Sequence, residues 1–117
     1  RGVMNAVVVA EAIATAQKIT GKKSINGEDM RKGLEALNLT ADRLKELGLE
    51  GFTNPISVSC KDHAGAHAIY IQQWDGKAWK AASDWIEPMR DRVRPKLEMA
   101  AAEYVKDKPD WQTQTCN

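Results

Sequence analysis

The stretch "AIYIQQWDGKAWKAASDW", residues 68–85, carries the strongest local structural signal in the chain. Two runs with strand-like alternation flank Asp75 and Gly76, a dipeptide that favours a two-residue hairpin turn because type I′ turns require positive φ. A turn centred on this dipeptide pairs Trp74 with Lys77. The stretch therefore predicts a β-hairpin with aromatic side chains on its strands, each cross-strand pair contributing roughly a few tenths of a kcal/mol.

The region before the hairpin is predicted to be mainly helical. Residues 3–20 are rich in alanine and valine, and apolar residues recur at helical spacing. The apolar residues that recur at this spacing are Ala6, Val9, Ile13 and Ala16. Since three consecutive valines lower helix propensity, this helix should depend on burial along much of its surface.

Two shorter helices are predicted between this helix and the hairpin. Asn26 is a suitable N-cap for the first, which carries Glu28 and Asp29 in its first turn, where the helix dipole favours anions. Thr40 is a suitable cap for the second, and Gly48 is expected to end it. Residues 56–59 then alternate in the manner of a strand.

After the hairpin, the chain is predicted to be helical from Ile86 onwards. Met89, Val93 and Leu97 lie at helical spacing in this region. Pro95 falls inside the pattern, and we expect it to kink or split the helix near Val93.

Composition limits the possible functions. The 117 residues suit one domain, and 17 basic against 16 acidic residues give a net charge of +1, which argues against a nucleic-acid partner.

The most apolar run, residues 3–16, is interrupted by Asn5 and Glu11 and is shorter than the ~20 residues that span a bilayer. Because the chain begins with Arg1 rather than Met, we expect it to be part of a longer protein.

A cluster of potential ligands and nucleophiles precedes the hairpin. Cys60, Asp62, His63 and His67 are side-chain types found in metal sites. The residues between the two histidines do not favour a stable helix, and no second cluster completes a ligand set, so a solvated turn is the preferred interpretation. The alternative is a small metal- or thiol-dependent enzyme that uses Cys60, His63 and His67.

The chain has two cysteines, Cys60 and Cys116. An even count, with Cys116 in a polar tail, favours a disulfide between them, while two free thiols remain the alternative. Closing a loop of this length would stabilise the fold by roughly 4 kcal/mol in the loop-entropy model. A disulfide also requires an oxidising compartment.

Three stretches resemble the C-terminal portion of type I periplasmic solute-binding proteins of ABC transporters, the branched-chain amino-acid-binding group. They are "RGVMNAVVVAEAIATAQ" (1–17), "GEDMRKGLEALNL" (27–39) and "GFTNPISVSCKDHAGAHAIYIQQWDGKAWKAASDW" (51–85). The last resembles the family's interlobe crossover and closing hairpin. Each motif is weakly specific alone, and their order and spacing carry the resemblance.

The resemblance implies an α/β fold, the C-terminal part of a two-lobed protein with helices, a crossover, a β-hairpin and a C-terminal helix. Residues 1–66 would belong to the first lobe, and residues 67–117 would return to the second. The implied protein lies in the periplasm or outside the cell, closes on a small molecule (an amino acid, an amide or an aromatic acid) and delivers it to an ABC permease. It would act without catalysis, cofactor, nucleic acid or membrane insertion. Its partners would be the ligand, the permease and the missing N-terminal part of the same protein.

The resemblance also implies roles for particular residues. The N-terminus of the first helix, with Arg1, Gly2, Val3 and Met4, would approach the interlobe cleft, where a helix N-terminus favours a ligand carboxylate. Asp62, His63 and Gly65 would form part of a hinge. The implied compartment is oxidising, which supports the Cys60–Cys116 disulfide.

Overall fold

The computed structural model describes residues 2–65, 68–111 and 116. The chain divides into two compact units, Arg1–Ala66 and His67–Asn117. The first unit contains three helices and one two-stranded sheet among its described residues. The second contains one two-stranded sheet and one helix among its described residues.

The elements of the first unit are α1 (Gly2–Thr20), α2 (Gly27–Glu35), β1 (Asn38–Leu39), α3 (Ala41–Glu46) and β2 (Ile56–Ser57). Strands β1 and β2 are antiparallel, with Asn38 opposite Ser57 and Leu39 opposite Ile56. Beyond the paired residues, the Val58 amide donates to the carbonyl of Leu37 at 2.9 Å, so the short sheet is extended by one backbone hydrogen bond.

Helices α1 and α2 pack together through small residues. A Cβ added at Gly33 would lie 2.3 Å from the carbonyl oxygen of Ala12 and 2.7 Å from the Cβ of Ala16. Both alanines are fully buried. Because a real Cβ does not approach a backbone oxygen this closely, only glycine at position 33 allows this separation of the two helices.

The caps of α2 and α3 confirm the predictions for Asn26 and Thr40. The Asn26 side chain accepts a hydrogen bond from the Asp29 amide, and the Asp29 side chain accepts one from the Asn26 amide, which forms a capping box. The Thr40 hydroxyl accepts from the amide of Arg43 at 3.2 Å. Gly48 follows α3 with φ of 71°, a left-handed conformation that suits glycine.

The core of the first unit is small. Its buried hydrophobic residues are Ala12, Ala16, Leu37, Leu39 and Leu44. The prediction that α1 is buried along much of its surface is wrong, since Val9 and Ile13 are 48% and 37% exposed. The buried face of α1 is instead formed by alanines, which allow the close approach of α2.

The described elements of the second unit are β3 (Gln72–Trp74), β4 (Trp79–Ala81) and α4 (Arg90–Val105). The hairpin forms as predicted, but its register differs. Trp74 pairs with Trp79 rather than with Lys77, which leaves a four-residue connection. The Asp75 carboxylate explains the longer loop, because it accepts hydrogen bonds from the Lys77 and Ala78 amides at 2.8 Å each. Gly76 takes φ of 99° within this loop.

Helix α4 begins later than predicted, at Arg90, and continues to Val105 with Pro95 inside it. The helix is therefore one element and is not split near Val93, while the alternative of a kink there stays a prediction. None of its residues is buried. Its apolar side chains remain largely in contact with solvent, including Val93 at 47%, Leu97 at 60% and Met99 at 74% exposure.

Candidate functional site

The segment from Ser59 to Gly65, where the sequence places its cysteine and histidine cluster, is a turn in the first unit. Ser59 and Asp62 exchange backbone hydrogen bonds at 2.9 and 3.0 Å, with Cys60 and Lys61 between them. The Asp62 carboxylate then accepts from the Ala64 amide at 3.0 Å. These local hydrogen bonds satisfy backbone polar groups of the segment without a helix or a long strand. This agrees with the predicted turn.

Gly65 follows with φ of 72°, and a Cβ placed there would lie 3.3 Å from Cγ2 of Ile56. Both the backbone conformation and the space therefore favour glycine at this position. The hinge role of Asp62, His63 and Gly65 stays a prediction.

His63 connects this segment to α2 through a contact with Glu35. Its Nε2 lies 3.3 Å from Oε1 of Glu35, whose side chain is 12% exposed. Arg31 lies on the other side of the same carboxylate, with Nη1 2.6 Å from Oε2. Arg31 also donates through Nε and Nη2 to Glu28. The arrangement forms a continuous row of polar contacts along α2.

The guanidinium of Arg31 determines the electrostatics of this row. Its hydrogen bonds to Glu28 and Glu35 raise the pKa of Arg31. The same side-chain hydrogen bond from Arg31 lowers the pKa of Glu28 below its ordinary value of 4.5. Arg31 therefore forms ion pairs with Glu28 and Glu35, and Glu35 also contacts His63.

Cys60 and Cys116 are both disulfide-bonded, and the described residues include no free cysteine. A sulfur in a disulfide is not a thiolate, so Cys60 in this state cannot act as a nucleophile or a metal ligand. The alternative of a metal- or thiol-dependent enzyme therefore lacks the Cys60 thiolate that it required. The pairing of Cys60 with Cys116 is taken up below as a proposal.

The metal interpretation also finds no support in the described part of the chain. No group of three or more His, Cys, Asp or Glu side chains suited to a metal ion occurs there. His67, which the interpretation required, lies outside the described residues. Asp62 and His63 are adjacent in sequence, but the carboxylate of Asp62 and the imidazole of His63 contact different groups, Ala64 and Glu35.

The residues predicted to bind a ligand lie at the beginning of α1. Gly2 and Val3 are exposed, and Met4 is half-buried. No acidic residue occupies the first turn, so nothing there competes with an anion for the helix N-terminus. Arg1 lies outside the described residues. The ligand-binding role of this turn stays a prediction.

Two ion pairs that sequence reasoning missed hold the first unit together. Arg43 of α3 makes a two-pronged contact with Glu11 of α1, with Nη2–Oε1 at 2.7 Å and Nε–Oε2 at 3.1 Å. The hydrogen bond from Arg43 lowers the pKa of Glu11. The Lys22 ammonium lies 2.9 Å from both oxygens of Asp29, which is 4% exposed. Neither pair joins residues three or four apart, the spacing that marks an ion pair within a helix. The sequence therefore indicated only the acidic first turn of α2.

Exposed apolar surface is the other main feature of both units. In the first unit, the exposed apolar residues of α1 include Val3, Ala6, Val9, Ala10, Ile13 and Ala14. In the second unit, the rings of Trp74 and Trp79 lie 5.7 Å apart, and those of Tyr70 and Trp85 lie 4.6 Å apart in an edge contact. Surfaces of this kind are typical of interaction sites.

The apolar content of α1 does not make it a membrane span. Among the residues that the structure describes, no helix combines the length and the apolar character needed to cross a bilayer.

Comparison with known proteins produced one informative similarity. No family model matches the chain, and no curated protein matches it. One similar solved structure is titled the crystal structure of an ABC transporter permease from the Pseudomonas fluorescens group. The two chains are 44% identical, with a TM-score of 0.88 over 99% of this chain. The match covers 28% of that chain, so the residues described here span less than a third of its length.

This similarity corrects the family prediction. The resemblance to periplasmic solute-binding proteins is wrong on this finding, because the similar structure is titled a permease. The predicted partner, a separate ABC permease, is wrong for the same reason, and so are the predicted exclusion of membrane insertion and the periplasmic or extracellular location. The broader part of the prediction, a component of an ABC transporter, is supported. The two-lobed α/β fold stays a prediction.

Proposed function

We propose that this chain is part of an ABC transporter and belongs to its permease component. The supporting observation is the 44% identity and the TM-score of 0.88 across 99% of the chain to a structure titled an ABC transporter permease. Identity at this level over nearly every residue accompanies conservation of fold and supports a shared role in transport. The chain then contributes to solute transfer rather than to catalysis.

Within such a component, the first unit serves as a rigid support. The Gly33 contact sets the distance between α1 and α2, and the Glu11–Arg43 pair joins α1 to α3. The turn that carries Cys60 and His63 is held against α2 by Glu35. A support of this kind positions neighbouring segments without changing shape itself.

The proposal is tested on the natural polypeptide that contains these residues, carrying an affinity tag. We expect the tagged protein to sediment with the membrane fraction after a salt wash and to co-purify with an ATP-hydrolysing subunit. Reconstituted vesicles that contain both should take up a small solute only when ATP is supplied. A tagged protein that stays in the salt-washed supernatant, with no associated ATPase, would rule the proposal out.

A matched pair of variants distinguishes the loss of the α1–α2 contact from a general effect of adding a methyl group to α2. Gly33→Ala should disrupt the packing of α1 on α2 and reduce the yield of the complex. Gly27→Ala adds the same methyl group to α2 at a site with nothing within 4 Å, so the complex should be retained.

We also propose that the two disulfide-bonded cysteines are bonded to each other, Cys60 to Cys116. The chain contains no other cysteine, so a bond within one chain has no other pairing. Proteolysis without reduction should release one peptide pair that contains both residues and separates on reduction. Covalent dimers that convert to monomers on reduction would show that the bonds are between chains instead.

A further inference from the structure

Asn26 and Gly27 form the one Asn-Gly dipeptide in the sequence. Asparagine is a chemically labile residue, and it deamidates most readily before glycine, because glycine leaves the following backbone nitrogen open to the asparagine side chain. Both residues are exposed at the beginning of α2. A Cβ added at Gly27 would meet nothing within 4 Å, so water has access to the dipeptide.

The backbone nitrogen next to Asn26 is also free of the helical hydrogen-bond pattern. Gly27 is the first residue of α2, and the first amides of a helix have no acceptor within that helix. The other asparagines among the described residues differ. Asn5 lies within α1 and Asn38 within β1, each followed by a residue with a side chain. Asn54 precedes a proline, which has no N–H.

We propose that Asn26 is a site of spontaneous deamidation and that the capping box of α2 controls its rate. The Gly27 nitrogen loses its proton and attacks Cγ of Asn26, a C–N bond forms, and the side-chain nitrogen leaves as ammonia. Water then opens the cyclic imide at either carbonyl and gives aspartate or isoaspartate. Water is the co-reactant, and nothing is oxidised or reduced. The proposal does not depend on whether the chain transports a solute.

The folded cap opposes ring closure. Oδ1 of Asn26 accepts from the Asp29 amide at 2.9 Å, and the Asn26 amide donates to the Asp29 carboxylate at 3.2 Å. The ψ angle of Asn26 is −176°, which places the Gly27 nitrogen anti to the Asn26 nitrogen and therefore staggered with respect to Cβ. A nearly planar ring requires that nitrogen and Cβ to be eclipsed. The reaction therefore requires the first turn of α2 to open, as in local unfolding.

The hairpin loop contains a related dipeptide, Asp75–Gly76, which is protected in another way. Aspartate forms the same cyclic imide far more readily when its carboxyl group is protonated. The hydrogen bond from Lys80, and then those from two loop amides, lower the pKa of Asp75, so its carboxylate is ionised near neutral pH. Charge does not protect a neutral amide such as that of Asn26. We therefore expect the reaction at Asn26 and little of it at Asp75.

The two products should affect α2 differently. Aspartate retains an oxygen that can accept from the Asp29 amide, and it is a good N-cap. Isoaspartate inserts a methylene group into the main chain, which displaces that oxygen and disrupts the capping box. Both products add a negative charge beside Asp29, which is 4% exposed. Deamidation therefore replaces a neutral cap with a charged one.

Peptide mapping of the natural polypeptide during incubation at mildly alkaline pH tests the proposal. We expect Asn26 to convert roughly tenfold or more faster in urea than in the native protein, since the native reaction requires local opening. Asp29→Ala removes half of the capping box and should accelerate the native reaction roughly fivefold. Asp42→Ala, a matched change in the first turn of α3, should leave it unchanged. Gly27→Ala should slow the reaction in urea.

Several results would overturn the proposal. Without conversion of Asn26 in urea, the dipeptide is not a modification site. Equal rates in urea and in native buffer, or an unchanged native rate in Asp29→Ala, mean that the cap does not control the reaction. Conversion of Asn5 or Asn38 in urea as fast as Asn26 means that the following glycine is not decisive. Lys22→Met removes the ion-pair partner of Asp29 and repeats the native test if Asp29→Ala fails to fold.

Discussion

The two units of this chain differ in how they are stabilised. Residues 2–65 have a small closed core, and every buried hydrophobic residue of the described chain lies there, while residues 68–111 have none. The first unit also has two capped helices, one long-range ion pair between Glu11 and Arg43, and a closer pair between Lys22 and Asp29. The second has a hairpin stabilised by its turn and by ring contacts, followed by a helix with every residue partly or fully exposed.

This difference shows that secondary structure and stability are separate outcomes of sequence. An isolated two-stranded hairpin is marginally stable at best in water, and so is an isolated helix of about 16 residues. The described residues of the second unit form both elements but no buried core, so local signals define these elements without making them independently stable. The first unit has a core with only a few side chains, and each of them should matter.

The largest effect is expected at the helix contact of the first unit. Gly33→Ala inserts a methyl group against the Ala12 carbonyl oxygen and should lower the free energy of unfolding by about 3 kcal/mol, the upper end for overpacking. Urea unfolding followed by circular dichroism measures the change. Gly27→Ala, where a Cβ meets nothing within 4 Å, should alter stability by no more than about 0.5 kcal/mol. Equal effects for the two variants would mean that the helices do not approach as described.

The next effect contrasts the same side chain in the two units. Leu44 is 3% exposed and Leu97 is 60% exposed. Leu44→Ala should cost about 2 kcal/mol, at the low end for core leucines because a short helix can move to fill the gap. Leu97→Ala should cost about 0.5 kcal/mol or less by the same measurement. A large loss for Leu97→Ala would show that α4 is buried against a further element in the natural polypeptide.

A smaller effect is expected in the hairpin turn. Gly76 has φ of 99°, and Gly76→Ala should cost about 1 kcal/mol because side chains disfavour this conformation. The readout is the exciton signal of the Trp74–Trp79 pair in far-ultraviolet circular dichroism, which should weaken. Lys77→Ala, in the same loop, should leave the signal intact. An unchanged signal in Gly76→Ala would mean that the turn adopts another conformation.

The last effect is a pH dependence. Hydrogen bonds from Lys22, and then from the Asn26 amide, lower the pKa of Asp29 below its ordinary value of 3.8. Because the folded pKa is the lower one, this contribution to stability is complete well above pH 3.8 and disappears as the pH falls through the folded pKa.

Asp29→Asn should therefore be less stable than the parent near neutral pH, and the difference should shrink below pH 3.8. Urea midpoints at several pH values measure it. Lys22→Met removes the partner and should reduce the same acid dependence. A difference that is constant with pH would show that the Asp29 charge does not contribute.

Local signals could be predicted from sequence, and contacts between distant residues could not. Asn26 and Thr40 were identified as caps because a cap depends on its neighbours within three residues. The Trp74–Trp79 register was missed because it depends on the side-chain hydrogen bonds of Asp75, which compete with a two-residue turn. The burial of α1 was overestimated, because its apolar residues lie on several sides of the helix while only Ala12 and Ala16 are buried.

The candidate site shows the same limit. A turn at Ser59–Gly65 was foreseeable from its glycine and polar residues, but the contact of His63 with Glu35 joins residues far apart in sequence. The family assignment rested on weakly specific motifs in a conserved order. The similarity to a structure titled a permease supports the predicted transport system and contradicts the predicted component.

The close contact at Gly33 also has a kinetic consequence. Helices α1 and α2 are consecutive and joined by a short loop, so their contact can form early, before more distant segments come together. During synthesis they emerge ahead of the rest of the chain described here and can pair while later residues are still being added. If this helical pair is the folding nucleus, Gly33→Ala will slow refolding and leave the unfolding rate nearly unchanged. The close contact at Gly33 would then determine the folding rate of the whole unit.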